Sequence, residues 1–211
     1  MSTHPRDRIS VFSDYVCPFC YLGRESLSRY QDTRDEKLEI NWQPFDLRSG
    51  KRNPDGTIDH SVDDGKDDDY FEQAKQSVRR LQEKYDVDME LDLAIEVDSF
   101  SAQIAAYYVR EHYPYETWLE FDEAIFEALW TEGRDIGDED VLADLADEVG
   151  VDTDEVRSAI EDDDLRERIE AEWSTAQRQG ITGVPTFAYD GYAARGAVPP
   201  EQLQRLVEGV E

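Results

Sequence analysis

The period of the apolar residues changes twice along the chain, and each change marks a new part of the predicted fold. A short, mostly apolar run at 9–13 predicts a buried strand, and helical spacing at 18–33 predicts a helix. Alternation over 38–42 predicts a half-buried second strand. The stretch 48–69 has no period and is interpreted as a loop, with a strong turn signal at 53–56.

The middle of the chain is mainly helical in period. A helix is predicted over 70–84, and strict alternation over 87–97 predicts an extended segment with one buried face. Ser99 is predicted to be the N-cap of the next helix. That helix and the two after it should bury Phe100, Ile104, Tyr107 and Tyr108, then Trp118, Phe121, Ile125 and Leu129, then Val141, Leu142, Leu145 and Val149. Further helices are predicted over 154–160 and 165–179.

After Gly180 the period returns to that of short strands. Residues 186–189 and 192–195 predict a hairpin joined by a turn at Asp190-Gly191. Pro199-Pro200 then opens a last helix. The predicted order is β-α-β, a largely helical block and β-β-α, which makes this an α/β protein.

The charge of the chain is strongly negative. Asp and Glu number 51 against 22 Lys and Arg, for a net charge of −29. Such an excess can prevent folding, but 11% of the residues are aromatic and the apolar positions are periodic, which favours a folded chain. We interpret the charge as an adaptation to a very salty cytosol, where the screening length falls to about 3 Å at 1 M salt. The acidity argues against binding to nucleic acid.

Two features of the sequence suggest where the protein resides. The first eight residues contain no apolar run, and no stretch approaches the roughly 20 apolar residues that span a bilayer. We therefore expect a cytoplasmic protein that does not act at a membrane. The pattern leaves the oligomeric state open.

The only two cysteines form the motif Cys17-Pro18-Phe19-Cys20, between the first strand and the first helix. Residues three apart in a helical turn lie about 5–6 Å from each other, which is compatible with a disulfide. Free amides at a helix start favour the thiolate form of a cysteine placed there. In a cytosolic protein such a pair is usually catalytic or redox-sensing.

Two other interpretations of the cysteine pair compete with a redox site. Zinc needs three or four protein ligands, and His4, His60 and His112 are scattered without ligand spacing, so no metal is expected. A structural disulfide remains open, although so short a loop removes little entropy from the unfolded chain.

Two segments carry a resemblance to a known family. They are Phe12-Ser13-Asp14-Tyr15-Val16-Cys17-Pro18-Phe19-Cys20-Tyr21-Leu22-Gly23 and Gly180-Ile181-Thr182-Gly183-Val184-Pro185-Thr186-Phe187. Together they resemble the DsbA-like branch of the thioredoxin superfamily, most closely the FrnE-like disulfide oxidoreductases. The resemblance implies a thioredoxin fold with a large all-helical insertion. Residues 1–68 would form its first half with a connecting loop, 69–179 the insertion and 180–211 the second half.

The resemblance also implies roles for individual residues. Cys17 would be the exposed nucleophile and Cys20 the more buried resolving thiol of a thiol–disulfide oxidoreductase. Val184-Pro185 would contain a cis proline bond and contribute to substrate binding. Pro18 and Phe19, between the cysteines, would tune the redox potential. The partners would be proteins or small molecules that carry thiols or disulfides.

Two rival functions remain beside disulfide exchange. Kappa-class glutathione transferases and 2-hydroxychromene-2-carboxylate isomerases look similar in architecture, but they carry a serine where Cys17 stands. The second rival is a non-enzymatic redox sensor. No cofactor is expected, apart from glutathione or another low-molecular-weight thiol as a co-substrate.

Overall fold

A computed structural model describes residues 7–63, 65, 68–90 and 96–209. The loop after the second strand contains a short 3₁₀ helix at Ser49–Lys51. In chain order the other elements are β1 (Arg8–Ser13), α1 (Pro18–Asp32), β2 (Glu39–Pro44), α2 (Asp68–Tyr85), α3 (Phe100–His112), α4 (Tyr115–Trp130), α5 (Glu139–Glu148), α6 (Thr153–Ile160), α7 (Asp163–Arg178), β3 (Thr186–Tyr189), β4 (Tyr192–Arg195) and α8 (Pro200–Glu208).

The strands form one mixed sheet in the order β2-β1-β3-β4. The central strand β1 runs parallel to β2 and antiparallel to β3. The hairpin of β3 and β4 turns at Asp190 and Gly191, whose φ angles of 47° and 82° are those of the tight turn the sequence predicted. The β-α-β and β-β-α halves therefore share one sheet, and a thioredoxin fold with a helical insertion is confirmed.

The two faces of the sheet are covered by different groups of residues. Successive side chains of a strand point to opposite faces, so Val11 and Phe12 lie on different sides of β1. Val11 belongs to the main core, which runs from the sheet into α3, α4 and α5 without interruption. Phe12 packs instead with Phe45, Ala176 and Ile181 in a smaller cluster.

The helical insertion also covers the outer edge of β2. The backbone N–H of Ile40 donates to the Tyr115 hydroxyl at 2.8 Å, and Arg110 donates to the carbonyl of Trp42 at 2.6 Å. These side chains pair backbone groups that an edge strand otherwise leaves open. The insertion is thus integrated with the sheet, and the domain boundaries proposed from the sequence stay a prediction.

One boundary of the predicted elements is wrong, and one predicted cap differs in its hydrogen bonds. The helix expected at 70–84 begins at Asp68, so it starts inside the stretch interpreted as loop. The prediction that Ser99 is the N-cap residue of α3 is confirmed in position, although its hydroxyl donates to Asp14 and makes no capping bond to the helix backbone. The carboxylate of Asp98 accepts from the N–H of Phe100 at this end of the helix, while the Ser99 hydroxyl donates to the buried Asp14.

The remaining predictions differ little from the structure. Tyr108 is half-buried, whereas Phe100, Ile104 and Tyr107 are buried as expected. The extended segment predicted at 87–97 includes residues 91–95, which lie outside the described residues. Of its described apolar positions, Met89 is buried.

Candidate active site

Cys17 is the N-cap residue of α1 and Cys20 lies in its first turn. Pro18 follows as the first helical residue, where the missing N–H of proline costs no intrahelical bond. The carbonyl of Cys17 accepts from the N–H of Cys20 at 2.9 Å, which closes the turn. The side chain of Cys17 makes no capping bond, and its Sγ lies 3.7 Å from the carbonyl oxygen of Val184.

The two thiols differ in access to solvent. Both are free, but Cys20 is fully buried while Cys17 is 5% exposed. The implied exposure of Cys17 is therefore wrong, because the residue is buried and its thiol lies against the Val184 carbonyl. The implied order holds, since Cys17 is the more accessible of the pair and lines a cavity.

The environment of Cys20 favours its neutral form. Burial raises the pKa of the Cys20 thiol well above its ordinary value, and hydrogen bonding and charge from Cys17 raise it further. The neighbouring carboxylate of Asp14 adds to this increase in pKa, whereas a backbone hydrogen bond at Asp14 opposes it. Cys20 is thus held as a protonated thiol in the reduced pair.

Asp14 is a fully buried carboxylate beneath the turn that carries the cysteines. It accepts from the backbone N–H groups of Val16 and Leu47, at 3.3 and 2.9 Å, and from the side chains of Ser99 and Gln103. Burial raises the pKa of Asp14 to about 6, with a contribution from nearby Asp46, although the donors oppose this shift. Asp14 therefore joins the cysteine turn to the β2–α2 loop and to α3.

A cavity of about 580 Å³ opens beside Cys17. One wall is the cysteine turn itself, and others come from the β2–α2 loop, from the first turns of α2 and from the segment before β3. The lining residues are Val16, Cys17, Pro18, Phe19, Phe45, Asp46, Leu47, Arg48, Ser49, Lys51, Ile58, His60, Tyr70, Phe71, Ala74, Thr182, Gly183 and Val184. The lining is largely apolar, with a few charged groups from the loop, as is usual for sites that bind small molecules.

Pro185 lies beneath the cysteine helix at a point of close approach. The Val184–Pro185 peptide bond is cis, as the resemblance implied. A Cβ atom at Gly23 would come within 3.1 Å of the side chains of both Pro185 and Phe187, so any larger residue would require this segment to shift.

The structure thus brings together all six residues singled out from the sequence: Cys17, Pro18, Phe19, Cys20, Val184 and Pro185. The sequence pattern did not single out Asp14, although it lies inside the motif and is buried beneath the cysteine turn. It also missed the cavity walls from the β2–α2 loop and α2, for which the local pattern held no signal.

A mixed four-stranded sheet, a cysteine pair at the start of α1 and a cis proline before β3 define a thioredoxin-fold protein, here with a helical insertion. The sequence pattern of the DSBA-like thioredoxin domain matches residues 8–208. The chain belongs to this family of thioredoxin-fold oxidoreductases. Within the described residues, no helix is long and apolar enough to cross a membrane.

Individual proteins agree with this assignment. The chain is 30% identical over 212 residues to the uncharacterized protein YwbO of Bacillus subtilis, with 94% of each chain covered. It superposes on a probable DsbA oxidoreductase from Streptomyces coelicolor with a TM-score of 0.75 and 21% identity, covering 97% of this chain and 91% of that one. It also superposes on a 2-hydroxychromene-2-carboxylate isomerase with a TM-score of 0.73 and 19% identity, covering 94% of this chain and 92% of that one. These two similarities concern the fold alone.

Proposed function

We propose that the protein is a thiol–disulfide oxidoreductase of the FrnE-like type in which Cys17 and Cys20 form the redox couple. The observation that carries this proposal is the unequal environment of two adjacent free thiols. Cys17 lines a cavity that a substrate can enter, whereas Cys20 is fully buried and kept neutral. Attack and resolution are thereby assigned to different sulfur atoms.

The proposed exchange conserves atoms and electrons. A substrate thiolate attacks the Cys17 sulfur of the oxidised pair, the Cys17–Cys20 bond breaks, and Cys20 leaves and takes up a proton. A second substrate thiolate then attacks the substrate sulfur that is bound to Cys17, and the Cys17 thiolate leaves and takes up a proton. The substrate loses two electrons and gains a disulfide, while the protein regains two thiols. In the reverse direction Cys17 opens a substrate disulfide and Cys20 releases the product.

We assign supporting roles to the residues that surround Cys17. The carbonyl of Val184, 3.7 Å from the sulfur, would accept a backbone N–H of an extended substrate. Pro185 would shape this platform from below. Pro18 and Phe19 line the cavity and would tune the redox potential of the pair.

A low-molecular-weight thiol is proposed as an alternative substrate. The volume of the cavity lies within the range of about 300–1,000 Å³ that is common for small-molecule sites. Glutathione or a similar thiol would fit there as a co-substrate, with no other cofactor. We place this chemistry in a cytoplasm of high salt, because a net charge of −29 is best screened there.

A second function, that of a glutathione-dependent isomerase or transferase, is favoured by the fold shared with a 2-hydroxychromene-2-carboxylate isomerase. Substitution Cys17→Ser separates the two functions. Conjugation or isomerisation that survives this substitution supports the second function, because a serine at this position would leave the bound thiol to react. A redox sensor would instead retain a partner in one redox state without turnover.

The decisive experiment measures insulin reduction and the oxidative refolding of a reduced disulfide protein. We expect wild-type turnover, loss of turnover in Cys17→Ser, and mixed disulfides accumulating on Cys17 in Cys20→Ala after exposure to a cell extract. Cys17→Ser combined with Cys20→Ala is the matched control and should trap nothing. A wild-type protein without turnover, together with an empty Cys20→Ala trap, would contradict the proposal.

A further inference from the structure

One buried carboxylate in the helical insertion contacts both segments that flank the cysteines. The hydroxyl of Tyr15, two residues before Cys17, donates to Oδ1 of Asp122 at 2.8 Å. The guanidinium of Arg24, four residues after Cys20, donates to Oδ2 of the same side chain. Asp122 lies on α4, about a hundred residues away in the sequence, and we call Tyr15, Asp122 and Arg24 the Asp122 clamp.

The clamp lies in the interior of the protein. The side chains of Asp122 and Arg24 are only 2% and 14% exposed. Burial raises the pKa of Asp122, while the charge of Arg24 and the Tyr15 hydrogen bond lower it. Breaking such a pair leaves a buried charge uncompensated, which is far more costly than the pair is worth as a stabilising contact. The geometry that it imposes is therefore strongly preferred.

Tyr15 is held from α4 at more than one atom. The indole N–H of Trp130 donates to its backbone carbonyl at 2.8 Å, and its ring packs against Phe126 with centroids 4.7 Å apart. The position of the chain just before Cys17 is thus set by the insertion. Arg24 extends the same control to the helix that carries Cys20.

We propose that Asp122 is a positioning residue that keeps the two thiols at the separation required for a disulfide. The loop before Cys17 and the helix after Cys20 cannot move apart without breaking a buried bond to one carboxylate. This inference rests on the proposed function only in treating Cys17 and Cys20 as a redox couple.

The consequence concerns the stability of the Cys17–Cys20 disulfide. With oxidised glutathione as the oxidant, two protein thiols become one disulfide, the glutathione disulfide breaks, and both protons end on two molecules of reduced glutathione. The equilibrium constant of this exchange measures the effective concentration of one protein thiol at the other. A looser clamp lowers that concentration, so the disulfide forms less readily and the reduction potential rises.

The test uses the full-length protein with the substitution Tyr15→Phe, which removes the hydrogen bond and keeps the ring. We expect the equilibrium constant with glutathione to fall about threefold to tenfold, where a tenfold fall corresponds to a rise of about 30 mV in potential. Tyr30→Phe is the matched control. The hydroxyl of Tyr30, on α1, donates to Glu208 on α8, so its loss should leave the equilibrium constant unchanged.

A second variant addresses the charge at the centre of the clamp. Asp122→Asn still offers an oxygen to Tyr15 but loses the charge that pairs with Arg24. We therefore expect the equilibrium constant with glutathione to fall in this variant as well. Because Tyr15 and Asp122 act through one bond, the double variant should fall by less than the product of the single effects. If Asp122→Asn does not fold, Tyr15→Phe decides the question alone.

The outcomes separate the two proposals. The equilibrium constant is measured without turnover, so a wild-type protein that forms the disulfide but processes no substrate contradicts the proposed function and not the clamp. A Tyr15→Phe variant that shifts the constant no more than Tyr30→Phe overturns the positioning role of Asp122, whatever the activity of the wild type.

Discussion

The two sides of the cysteine turn are built in contrasting ways. On one side, buried side chains from α3 and α4 bind the turn directly, through Asp14 and through the Asp122 clamp. On the other side, the turn faces a cavity whose walls include the half-exposed ring of Tyr70. In the proposed function, the first side would hold the two thiols in a set geometry, and the second would admit the substrate.

The difference suggests how chemistry and recognition are separated in this fold. Reacting groups need positions set by buried, fully paired neighbours, whereas loops at a cavity tolerate change and carry specificity. Substitutions on the buried side should therefore alter stability and the redox equilibrium. Those at cavity walls outside the cysteine turn should alter substrate use alone.

The sharpest challenge to this contrast comes from Arg52, because it lies on the cavity side and yet is deeply buried. Its guanidinium pairs with Asp46 and Asp98, each at 2.8 Å, and lies 4.4 Å from the ring centroid of Phe100. Arg52→Met should cost about 3–5 kcal/mol of unfolding free energy, because it leaves the buried Asp46 without its partner. Urea denaturation measures this.

A matched control for Arg52 is Arg8→Met, since Arg8 is largely exposed in its pair with Glu39. Its loss should cost under about 1 kcal/mol. If the two substitutions lower the unfolding free energy equally, Arg52 does not anchor the loop behind the cavity, and the contrast between the two sides of the cysteine turn would hold without exception.

The next effect concerns the pH dependence that Asp14 brings to the buried side. Its pKa rises to about 6 from 3.8, so the folded protein holds this proton more tightly than the unfolded chain. The stability that Asp14 contributes is present below about pH 4 and is lost as the pH rises through 6. A shift of two pKa units corresponds to about 3 kcal/mol.

Asp14→Asn cannot ionise and should escape this loss. The unfolding free energy of the variant relative to wild type should therefore increase by about 2–3 kcal/mol between pH 4 and pH 7. Asp32→Asn, at an exposed carboxylate, is the control and should show no such increase. A difference that stays constant with pH would show that Asp14 is not the group responsible.

Salt should affect the charged surface of the protein more than the buried Asp122 clamp. Raising KCl from about 0.1 to 2 M screens the surface carboxylates, and we expect Tm to rise by about 5 °C, or roughly 1–2 kcal/mol. The glutathione equilibrium constant of the cysteine pair should change less than about twofold, since the clamp is shielded from ions. A Tm equally high in dilute buffer contradicts the adaptation to salt, and a non-ionic osmolyte serves as the control.

The smallest effect is expected at the cavity surface. Phe71 lines the cavity and lies edge-on to Tyr70. Phe71→Ala should lower kcat/KM for a small disulfide about threefold, or ~0.7 kcal/mol, because an aromatic wall is lost. The redox equilibrium should stay unchanged. Tyr192→Ala, at an exposed ring on β4, should leave both quantities at wild-type values, and an equal loss there would argue against a cavity-specific role.

The sequence was informative wherever a structural feature depends on neighbouring residues. Alternation at Ile40 and Trp42 predicts a half-buried strand, and the spacing of Cys17 and Cys20 predicts a pair in the first turn of a helix, as the structure shows. Both interpretations use residues a few positions apart, where the period of the backbone sets which side chains meet.

The buried contacts were not predictable in the same way. Tyr15 and Asp122 are 107 positions apart, and Ser99 is 85 from Asp14. An aspartate on a helix shows no local sign of its distant partner. Local propensity correctly predicts Ser99 as the N-cap residue of α3, but only the fold reveals that its hydroxyl donates to Asp14.

The contact between Cys17 and Val184 spans 167 positions, which has a consequence during synthesis. At about 5–20 residues per second, roughly 8–33 s pass between translation of the first cysteine and translation of the segment that covers it. During that interval the nascent chain carries two thiols but lacks the Val184 segment that contacts Cys17 in the folded protein. Until then, the state of both thiols depends on the redox conditions around the ribosome alone.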